Sequence, residues 1–316
     1  MIDFKYLYQG ICGLANAHRA GTMAGHLGAA VVAGYFFGED QADLPEGVFD
    51  GVESELNRVI AGEEAIWFNA KKAGVTPTQL FDPFPKEPTA EDTIGSIAKA
   101  LGRNIDRTRQ SGHNVIFASL ALRSLHDHGQ YATPHIIAGI RKLTHGFDNA
   151  PPGRGYYGKD TGWLGGNQVQ LKPDDSFPPY RSIAEMVQVT IAELIATAAI
   201  KRQGFGGLWH IINHAAGLTE LSRLGYDDLA KQALPAHHEH IRYWRSLPDV
   251  ESELGAMVKA EHDPREPVYW TGMLKRDQAR LTHRIKTLFG FYTLRRFIED
   301  DATRKQAADA FLYLMA

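Results

Sequence analysis

The chain is poor in cysteine. It has 316 residues and a single cysteine, Cys12. One thiol excludes an intrachain disulfide and any zinc site built from several cysteines, and it is typical of a reducing compartment. Cys12 lies in the apolar stretch "YQGICGLANA", where we expect a small buried side chain rather than a nucleophile. The first ten residues lack a basic region followed by a long apolar core, so we expect no cleaved signal peptide and a cytoplasmic protein.

The chain also lacks a strong charge of either sign and a long hydrophobic run. Its formal net charge is -3, and no basic cluster marks a surface for nucleic acid or an anionic membrane. The most apolar run, residues 25–38, is shorter than the roughly 20 residues that cross a bilayer. We therefore expect no nucleic-acid or membrane partner, and we interpret residues 25–38 as a buried helix.

Motifs that define several enzyme classes are missing. No Gly-x-Gly-x-x-Gly follows a strand pattern, and neither a P-loop nor a Gly-x-Ser-x-Gly elbow occurs. Dinucleotide-binding, P-loop and α/β-hydrolase folds thus have no support. Alternating apolar and polar residues between turns are absent as well, so we predict almost no strands.

Helical patterns, in contrast, occur along most of the chain. Apolar residues recur at steps of three and four over residues 182–203, which predicts an amphipathic helix. Ser182 is its expected N-cap, and Glu185 would complete a capping box. At another helix start, Thr133 is the expected cap and Pro134 the first helical residue. The predicted fold class is all-α.

Four segments align on a histidine. Each has a histidine at the start of an apolar helix, then a polar turn and a second amphipathic helix. The aligned residues are His26, His113, His210 and His283. This pattern predicts a single domain, residues 1–316, built from repeated helical hairpins with irregular insertions, in a stacked or closed array.

The first helices of these hairpins are rich in glycine and alanine, as in "GHLGAAVVAG" and "HAAGLTEL". In this respect the chain resembles the α/α-toroid group of folds, which includes six-hairpin glycosidases, sugar epimerases, polysaccharide lyases and terpenoid cyclases. The resemblance implies a closed or nearly closed α/α toroid with a pocket at one end of its inner ring. The four aligned histidines would then lie at that end.

Imidazoles around one pocket suit either a divalent metal or acid–base catalysis near neutral pH. A histidine at a helix start also serves as a capping or packing residue, and that interpretation stays open. His210 and His214 stand four residues apart, the spacing that directs two imidazoles from one helix face to a metal. The "HHEH" sequence at residues 237–240 is predicted to be a surface cluster on an outer helix.

The "LHDHG" sequence at residues 125–129 resembles the His-Asp pair of HD-type metal-dependent phosphohydrolases, which are also all-α. The resemblance implies His113, His126 and Asp127 as metal ligands. The interval between His113 and His126 is too short for the helix, turn and second helix of that family. An ordinary helix end, with Gly129 as the stop, explains the same residues.

Residues 145–180 form a long segment rich in glycine, proline and aromatic residues without helical period. Long loops in compact domains are usually functional or disordered, and the aromatic residues argue against disorder. We expect the segment to cover the pocket; the alternative is an arm that packs on a neighbouring subunit of a homo-oligomer. The predicted catalytic residues of this segment are Asp148, Tyr156, Tyr157 and Asp160, and the predicted substrate-binding residues are Trp163, Asn167 and, outside it, Trp209.

Together these patterns predict an enzyme, namely a hydrolase, lyase or isomerase. It would act on a small polar or carbohydrate-like substrate by histidine-assisted acid–base chemistry, with a divalent metal as an open alternative. Asp148 and Asp160 are candidates for a glycosidase pair, but the sequence does not determine their separation. A non-catalytic helical scaffold whose groove binds a peptide is the alternative from a different class, and an HD-type phosphohydrolase is the third.

Overall fold

The computed structural model of the protein describes residues 1–271 and 280–316. These residues are predominantly helical, which confirms the helical class. No helix in the described ranges is long and apolar enough to cross a membrane. In chain order the helices are α1 (Lys5–Asn16), α2 (Gly25–Asp40), α3 (Glu46–Ile60), α4 (Ala70–Ala73), α5 (Gly95–Leu101), α6 (His113–Asp127), α7 (Pro134–His145), α8 (Ile183–Thr197), α9 (Gly207–Arg223), α10 (Asp227–Gln232), α11 (Leu234–Ser246), α12 (Glu251–Leu254), α13 (Pro267–Trp270), α14 (Arg280–Arg295) and α15 (Asp301–Met315).

The chain forms two compact units, and each is built from separate stretches of sequence. The first unit contains Met1–Arg103, Ile116–Asp148 and His262–Phe289. The second unit contains Asn104–Val115, Asn149–Glu261 and Gly290–Ala316. Helices α6 and α14 each contribute residues to both units.

The four aligned histidines lie where the repeat predicts them. His26, His113 and His210 each fall in the first turn of a helix, namely α2, α6 and α9, and His283 is the fourth described residue of α14. In each case at least one further helix follows along the chain, in the order expected for a hairpin. The prediction of a histidine at the helix start is therefore confirmed for α2, α6 and α9.

Close packing of α1 against α2 forms part of the core of the first unit. The side chains of α2 are buried from Gly25 to Gly38, as expected for the run at residues 25–38. A Cβ atom added at Gly28 would overlap the backbone nitrogen of Leu14, so glycine permits this approach of the two helices. Cys12 of α1 is fully buried, and burial raises the pKa of its thiol to about 11. Cys12 is thus a packing residue, as predicted.

The second unit contains a short hairpin that the sequence did not predict. Strands β1 (Arg154–Tyr156) and β2 (Trp163–Gly165) pair antiparallel, with Tyr156 opposite Trp163. The sequence predicted almost no strands, and this hairpin is the exception in the described part of the chain. Because each strand has only three residues, it is too short for alternation of apolar and polar residues to be recognised.

The predicted starts of α7 and α8 agree with the structure, whereas the predicted capping hydrogen bonds are only partly present. Ser182 is the N-cap of α8 and accepts a hydrogen bond from the backbone N of Glu185 at 3.1 Å. The Glu185 carboxylate accepts from the backbone N of Arg181 at 2.8 Å, so it does not complete the predicted box. Helix α8 ends at Thr197, before residue 203. Pro134 begins α7 as predicted, although the Thr133 side chain makes no capping hydrogen bond.

Candidate functional site

The structure brings the four aligned histidines together in two pairs, one in each unit. His26 and His283 lie in the first unit with ring centroids 4.9 Å apart. His113 and His210 lie in the second unit with ring centroids 4.4 Å apart. A cavity shared by all four histidines stays a prediction.

A buried lysine completes the pair in the first unit. Lys286 lies on α14 one turn after His283, and only 2% of its surface is exposed. Its Nζ atom hydrogen-bonds to Nδ1 of His26, which is itself fully buried. The ring of Phe117 on α6 lies 5.7 Å from Nζ. We call the five residues at this position, namely His26, Trp67, Phe117, His283 and Lys286, the lysine cluster.

Trp67 and Glu64 determine the orientation of the cluster. The Trp67 ring stacks on the His26 ring with centroids 3.6 Å apart and an interplanar angle of 9°. The indole Nε1 donates to Oε2 of Glu64 at 3.3 Å. The two Glu64 oxygens also accept the backbone N–H groups of Leu281 and Thr282, each at 3.0 Å. One buried carboxylate therefore holds both the indole of Trp67 and the backbone of α14 at Leu281 and Thr282.

The electrostatic environment of Lys286 favours its uncharged form. Burial lowers the pKa of the Lys286 amine to about 7, while the charge of Glu64 raises it. Within the described ranges, no carboxylate lies within ion-pair distance of Nζ. At neutral pH a large fraction of Lys286 thus carries a lone pair, the state in which an amine acts as a base or a nucleophile.

His26 is placed to exchange a proton with that amine. When Lys286 gives its proton to Nδ1, the resulting imidazolium lies against the face of Trp67. A cation over an indole face is stabilised by the ring quadrupole, most strongly where water is excluded. The arrangement can therefore perform proton transfer with both partners held in one geometry.

The second unit contains another histidine cluster, and it corrects a prediction. The "HHEH" histidines do not form a surface cluster, because His237 and His240 are fully buried and His238 is 8% exposed. They lie on α11, which packs against α8 and α9. With the charged form costly in this position, these side chains serve as neutral hydrogen-bonding groups. The polar sequence of α11 did not indicate that the helix face with these histidines is buried.

Hydrogen bonds in this cluster determine the tautomers. His240 Nε2 donates to the Phe205 carbonyl at 2.7 Å, so its Nδ1 is an acceptor. The Nδ1 of His214 lies 3.4 Å from that acceptor and is therefore the donor. His237 Nε2 donates to the Ile211 carbonyl at 3.0 Å. Burial lowers the pKa of His214 well below its usual value, that of His237 to about 3 and that of His240 to about 4.

The predicted metal pair lies beside this cluster. His210 Nδ1 donates to the carbonyl of Ser111 at 2.9 Å, and His214 uses its Nδ1 for His240. Among the described residues, no group of three or more histidine, cysteine, aspartate or glutamate side chains could hold a metal ion. A metal role for His210 and His214 stays a prediction.

The resemblance to HD-type phosphohydrolases implied that His113, His126 and Asp127 lie close enough together to bind one metal. His113 is the first residue of α6 and Asp127 is the last, with His126 beside it. The three residues thus occupy opposite ends of one continuous helix, about four turns long. Asp127 lies 3.4 Å from the buried Arg123 guanidinium. The helix does not bring these residues together.

The loop residues of the second unit occupy the exposed hairpin. The Tyr156 hydroxyl donates to Glu253 at 2.8 Å, and the Tyr157 hydroxyl lies 2.7 Å from that of Ser246. Trp163 is 43% exposed, and its ring centroid lies 5.6 Å from that of Tyr156. Asp160 and Asn167 are exposed. The structure thus joins Tyr156 with Trp163 and leaves Asp160 and Asn167 on the surface.

Two further predicted site residues, Asp148 and Trp209, make contacts that connect neighbouring segments of the fold. Asp148 ends the segment of the first unit that contains α7, and its carboxylate lies 3.3 Å from His145 and 3.5 Å from Arg103. In the second unit, Trp209 Nε1 donates to the backbone oxygen of Leu314 at 3.0 Å. Asp148 and Asp160 fall in different units, so their separation as a glycosidase pair stays untested.

Sequence reasoning missed Lys286, Trp67 and Glu64. One signal was present for Lys286, which follows His283 by three residues within the apolar stretch "LTHRIKTLF". That spacing places both side chains on the same face of a helix whose neighbours are apolar. Trp67 ends a three-residue 3-10 helix and Glu64 directly precedes it, and so short an element has no periodicity that could have identified them.

Comparison of the chain with protein-family models, curated proteins and solved structures found no match. The interpretation of the site therefore depends on its own geometry.

Proposed function

We propose that the protein is an enzyme that acts on a small polar or carbohydrate-like molecule by acid–base chemistry at Lys286 and His26. The observation that carries this proposal is the hydrogen bond between the buried Nζ of Lys286 and Nδ1 of His26. A lyase or isomerase reaction fits this pair best, because both reactions need a proton removed from one atom and returned to another.

The energetic cost of Lys286 supports a chemical role. A buried amine without a carboxylate partner destabilises the folded state, whereas a methionine of similar length would fill the same space. Groups that are costly for stability and perturbed in pKa are concentrated at functional sites. The cost at Lys286 accordingly favours chemistry over packing.

The roles of the two groups follow from their positions. Lys286 in its uncharged form removes a proton from the substrate, and His26 takes or returns the proton through Nδ1. Trp67 holds the imidazole plane and stabilises its charged form. His283 contacts His26 and is the second histidine able to hydrogen-bond a polar substrate. The pair His113 and His210 has no role in this step.

The order of the helices also supports a proposal for the fold. Each of the four aligned histidines lies in a helix that a further helix follows, as in repeated hairpins. We propose that these hairpins close into an α/α toroid, and small-angle X-ray scattering of the protein in solution tests this closure. The proposed reaction does not depend on that closure.

Proton exchange with solvent tests the proposed reaction. The wild-type protein is incubated in D₂O with a panel of small sugars, hydroxy aldehydes and hydroxy ketones, and NMR follows deuterium incorporation beside the carbonyl. We expect incorporation with at least one compound, and at least a hundredfold less with Lys286→Met or His26→Gln. The matched control is Lys99→Met, which removes an exposed lysine of α5. Equal exchange by wild type and both site variants would refute the proposal.

A further inference from the structure

We propose that Lys286 forms a covalent imine with the carbonyl carbon of an aldehyde or ketone substrate, and that His26 carries the protons of that step. This inference rests on the proposed function and names its substrate class as carbonyl compounds. It also gives Lys286 a second role, because the amine becomes a nucleophile in addition to a base.

The contacts of the amine leave its lone pair available for this reaction. His26 faces Nζ from α2 and the Phe117 ring faces it from α6. The acidic group whose charge acts on it is Glu64, whose two oxygens are occupied by backbone N–H groups of α14 and by the Trp67 indole. Because the negative charge of Glu64 is engaged elsewhere, it does not hold the amine as an ammonium ion pair. Lysines that form imines are activated by this kind of desolvated setting.

A second polar group on α14 fits the intermediate. Thr282 is fully buried, and its Oγ1 has no hydrogen-bond partner in the described part of the chain. It stands one turn before Lys286, so both side chains project from the same face of the helix. A buried hydroxyl without a partner costs free energy until a ligand satisfies it. The hydroxyl of a carbinolamine bound to Lys286 supplies such a partner.

The proposed step balances without any further reactant. Lys286 first gives its ammonium proton to Nδ1 of His26, and the Nζ lone pair then attacks the carbonyl carbon. The proton that the nitrogen loses after the attack passes to the carbonyl oxygen, which gives a carbinolamine. His26 then protonates the carbinolamine hydroxyl, which leaves as water while the nitrogen lone pair forms the C=N bond. Loss of the remaining N–H proton to His26 gives the neutral imine. The net change is amine plus carbonyl to imine plus one water, with no oxidation or reduction.

Reductive trapping tests the imine directly. The wild-type protein is treated at pH 7 with glycolaldehyde and sodium cyanoborohydride, and peptide mass mapping locates the reduced adducts over time. We expect Lys286 to be modified first, at least about tenfold faster than the exposed Lys99, because the desolvated amine of Lys286 contacts an imidazole that carries its protons, whereas Lys99 lies in water. His26→Gln keeps the amine and should slow the adduct at Lys286 by about tenfold, while Lys99→Met should leave it unchanged.

Failure of the imine and failure of the proposed acid–base function give different results in these two experiments. Modification of Lys286 no faster than of Lys99 in the wild-type protein would overturn the imine. If Lys286→Met nevertheless abolishes deuterium exchange, the acid–base function stands and only the covalent step is wrong. A selective adduct without any exchange would support the imine and refute the proposed proton transfer for the compounds in the panel. Because the mapping uses wild-type protein, a variant that fails to fold does not affect this decision.

Discussion

The indole of Trp67 lies parallel to the imidazole of His26, with ring centroids 3.6 Å apart. The stack holds the imidazole in the plane in which its Nδ1 meets Lys286. It also places the negative face of the indole against the ring that would become charged in the proposed proton transfer. Such a contact stabilises a desolvated cation by about 2 kcal/mol. In the proposed reaction Trp67 is therefore a positioning residue, although it does not itself exchange a proton.

Two substitutions of Trp67 distinguish the effect of its aromatic ring from the effect of its hydrogen bond to Glu64. We expect Trp67→Leu to lower the rate of deuterium exchange by about tenfold, which corresponds to about 1.4 kcal/mol, because the charged imidazole loses its stacked ring. Trp67→Phe retains a ring but loses the bond to Glu64, and it should retain most of the rate. The comparison uses initial exchange rates at pH 7. Equal loss in both variants would show that the hydrogen bond, not the ring, supports the reaction.

Lys286 should make stability depend on alkaline pH. Its pKa is about 7 in the folded protein against 10.5 for an ordinary lysine, so the unfolded state binds more protons between these values. Stability should consequently rise as pH increases from about 7 to about 10. Lys286→Met removes this dependence and should be more stable than wild type by about 4 kcal/mol at pH 7, with a smaller difference at pH 10.

Urea unfolding at pH 7 and pH 9.5 measures this effect. Lys99→Met is the control, and because Lys99 is exposed we expect a change within about 0.5 kcal/mol. A Lys286→Met variant less stable than wild type at pH 7 would mean that the amine is well solvated or paired in solution.

Glu64 should couple the start of α14 to the amine. Glu64→Gln removes the charge that accepts the N–H groups of Leu281 and Thr282 and should cost about 1–3 kcal/mol of unfolding free energy. The charge of Glu64 raises the pKa of Lys286, so the variant should move the pH profile of Lys286 trapping to lower pH. Glu63→Gln, which changes the exposed neighbouring carboxylate, should move neither quantity. An unchanged profile in Glu64→Gln would contradict the coupling.

The buried histidines of the second unit should make the protein sensitive to acid. His237 and His240 have folded pKa values of about 3 and 4, below their ordinary value of 6.5. The unfolded state therefore binds more protons between about pH 4 and pH 6.5, and stability should fall as pH decreases through this window. Each histidine contributes about 1.4 kcal/mol per pH unit there.

Unfolding free energies at pH 7.5 and pH 5.5 check this dependence. We expect His240→Gln to reduce the difference between the two values, because one buried titrating group is lost. His262→Gln, whose side chain is 40% exposed, should leave the difference unchanged. If the wild-type protein is equally stable at both pH values, these imidazoles are hydrated in solution.

The packing of α1 on α2 should depend on Gly28. A Cβ at Gly28 would overlap the backbone of α1, which cannot move aside as a flexible side chain can. We expect Gly28→Ala to destabilise the protein by about 3 kcal/mol. The matched control is Gly95→Ala in α5, where a Cβ meets nothing within 4 Å, and it should be neutral or stabilising by up to about 1 kcal/mol. Thermal unfolding of the two variants distinguishes close approach from a general effect of alanine.

The candidate site was only partly predictable from the sequence. His26 and His283 were predicted, because a histidine at the start of an apolar helix is a local pattern. Their partner Lys286 was missed, since a lysine within an amphipathic helix is ordinarily assigned to the solvent face. The "HHEH" residues were predicted on the surface for the same reason, and they are buried because α11 packs against both α8 and α9.

What the sequence determined by itself is local: the helical class, the buried α2, and the histidine in the first turn of α2, α6 and α9. Period, capping and chain length decide these features, and all of them act over a few residues. Only the tertiary structure decided which histidines meet and that Lys286 contacts His26, 260 positions away. Burial of apolar surface has no direction, so the packing of whole helices selects these partners and the periodicity of any one helix does not.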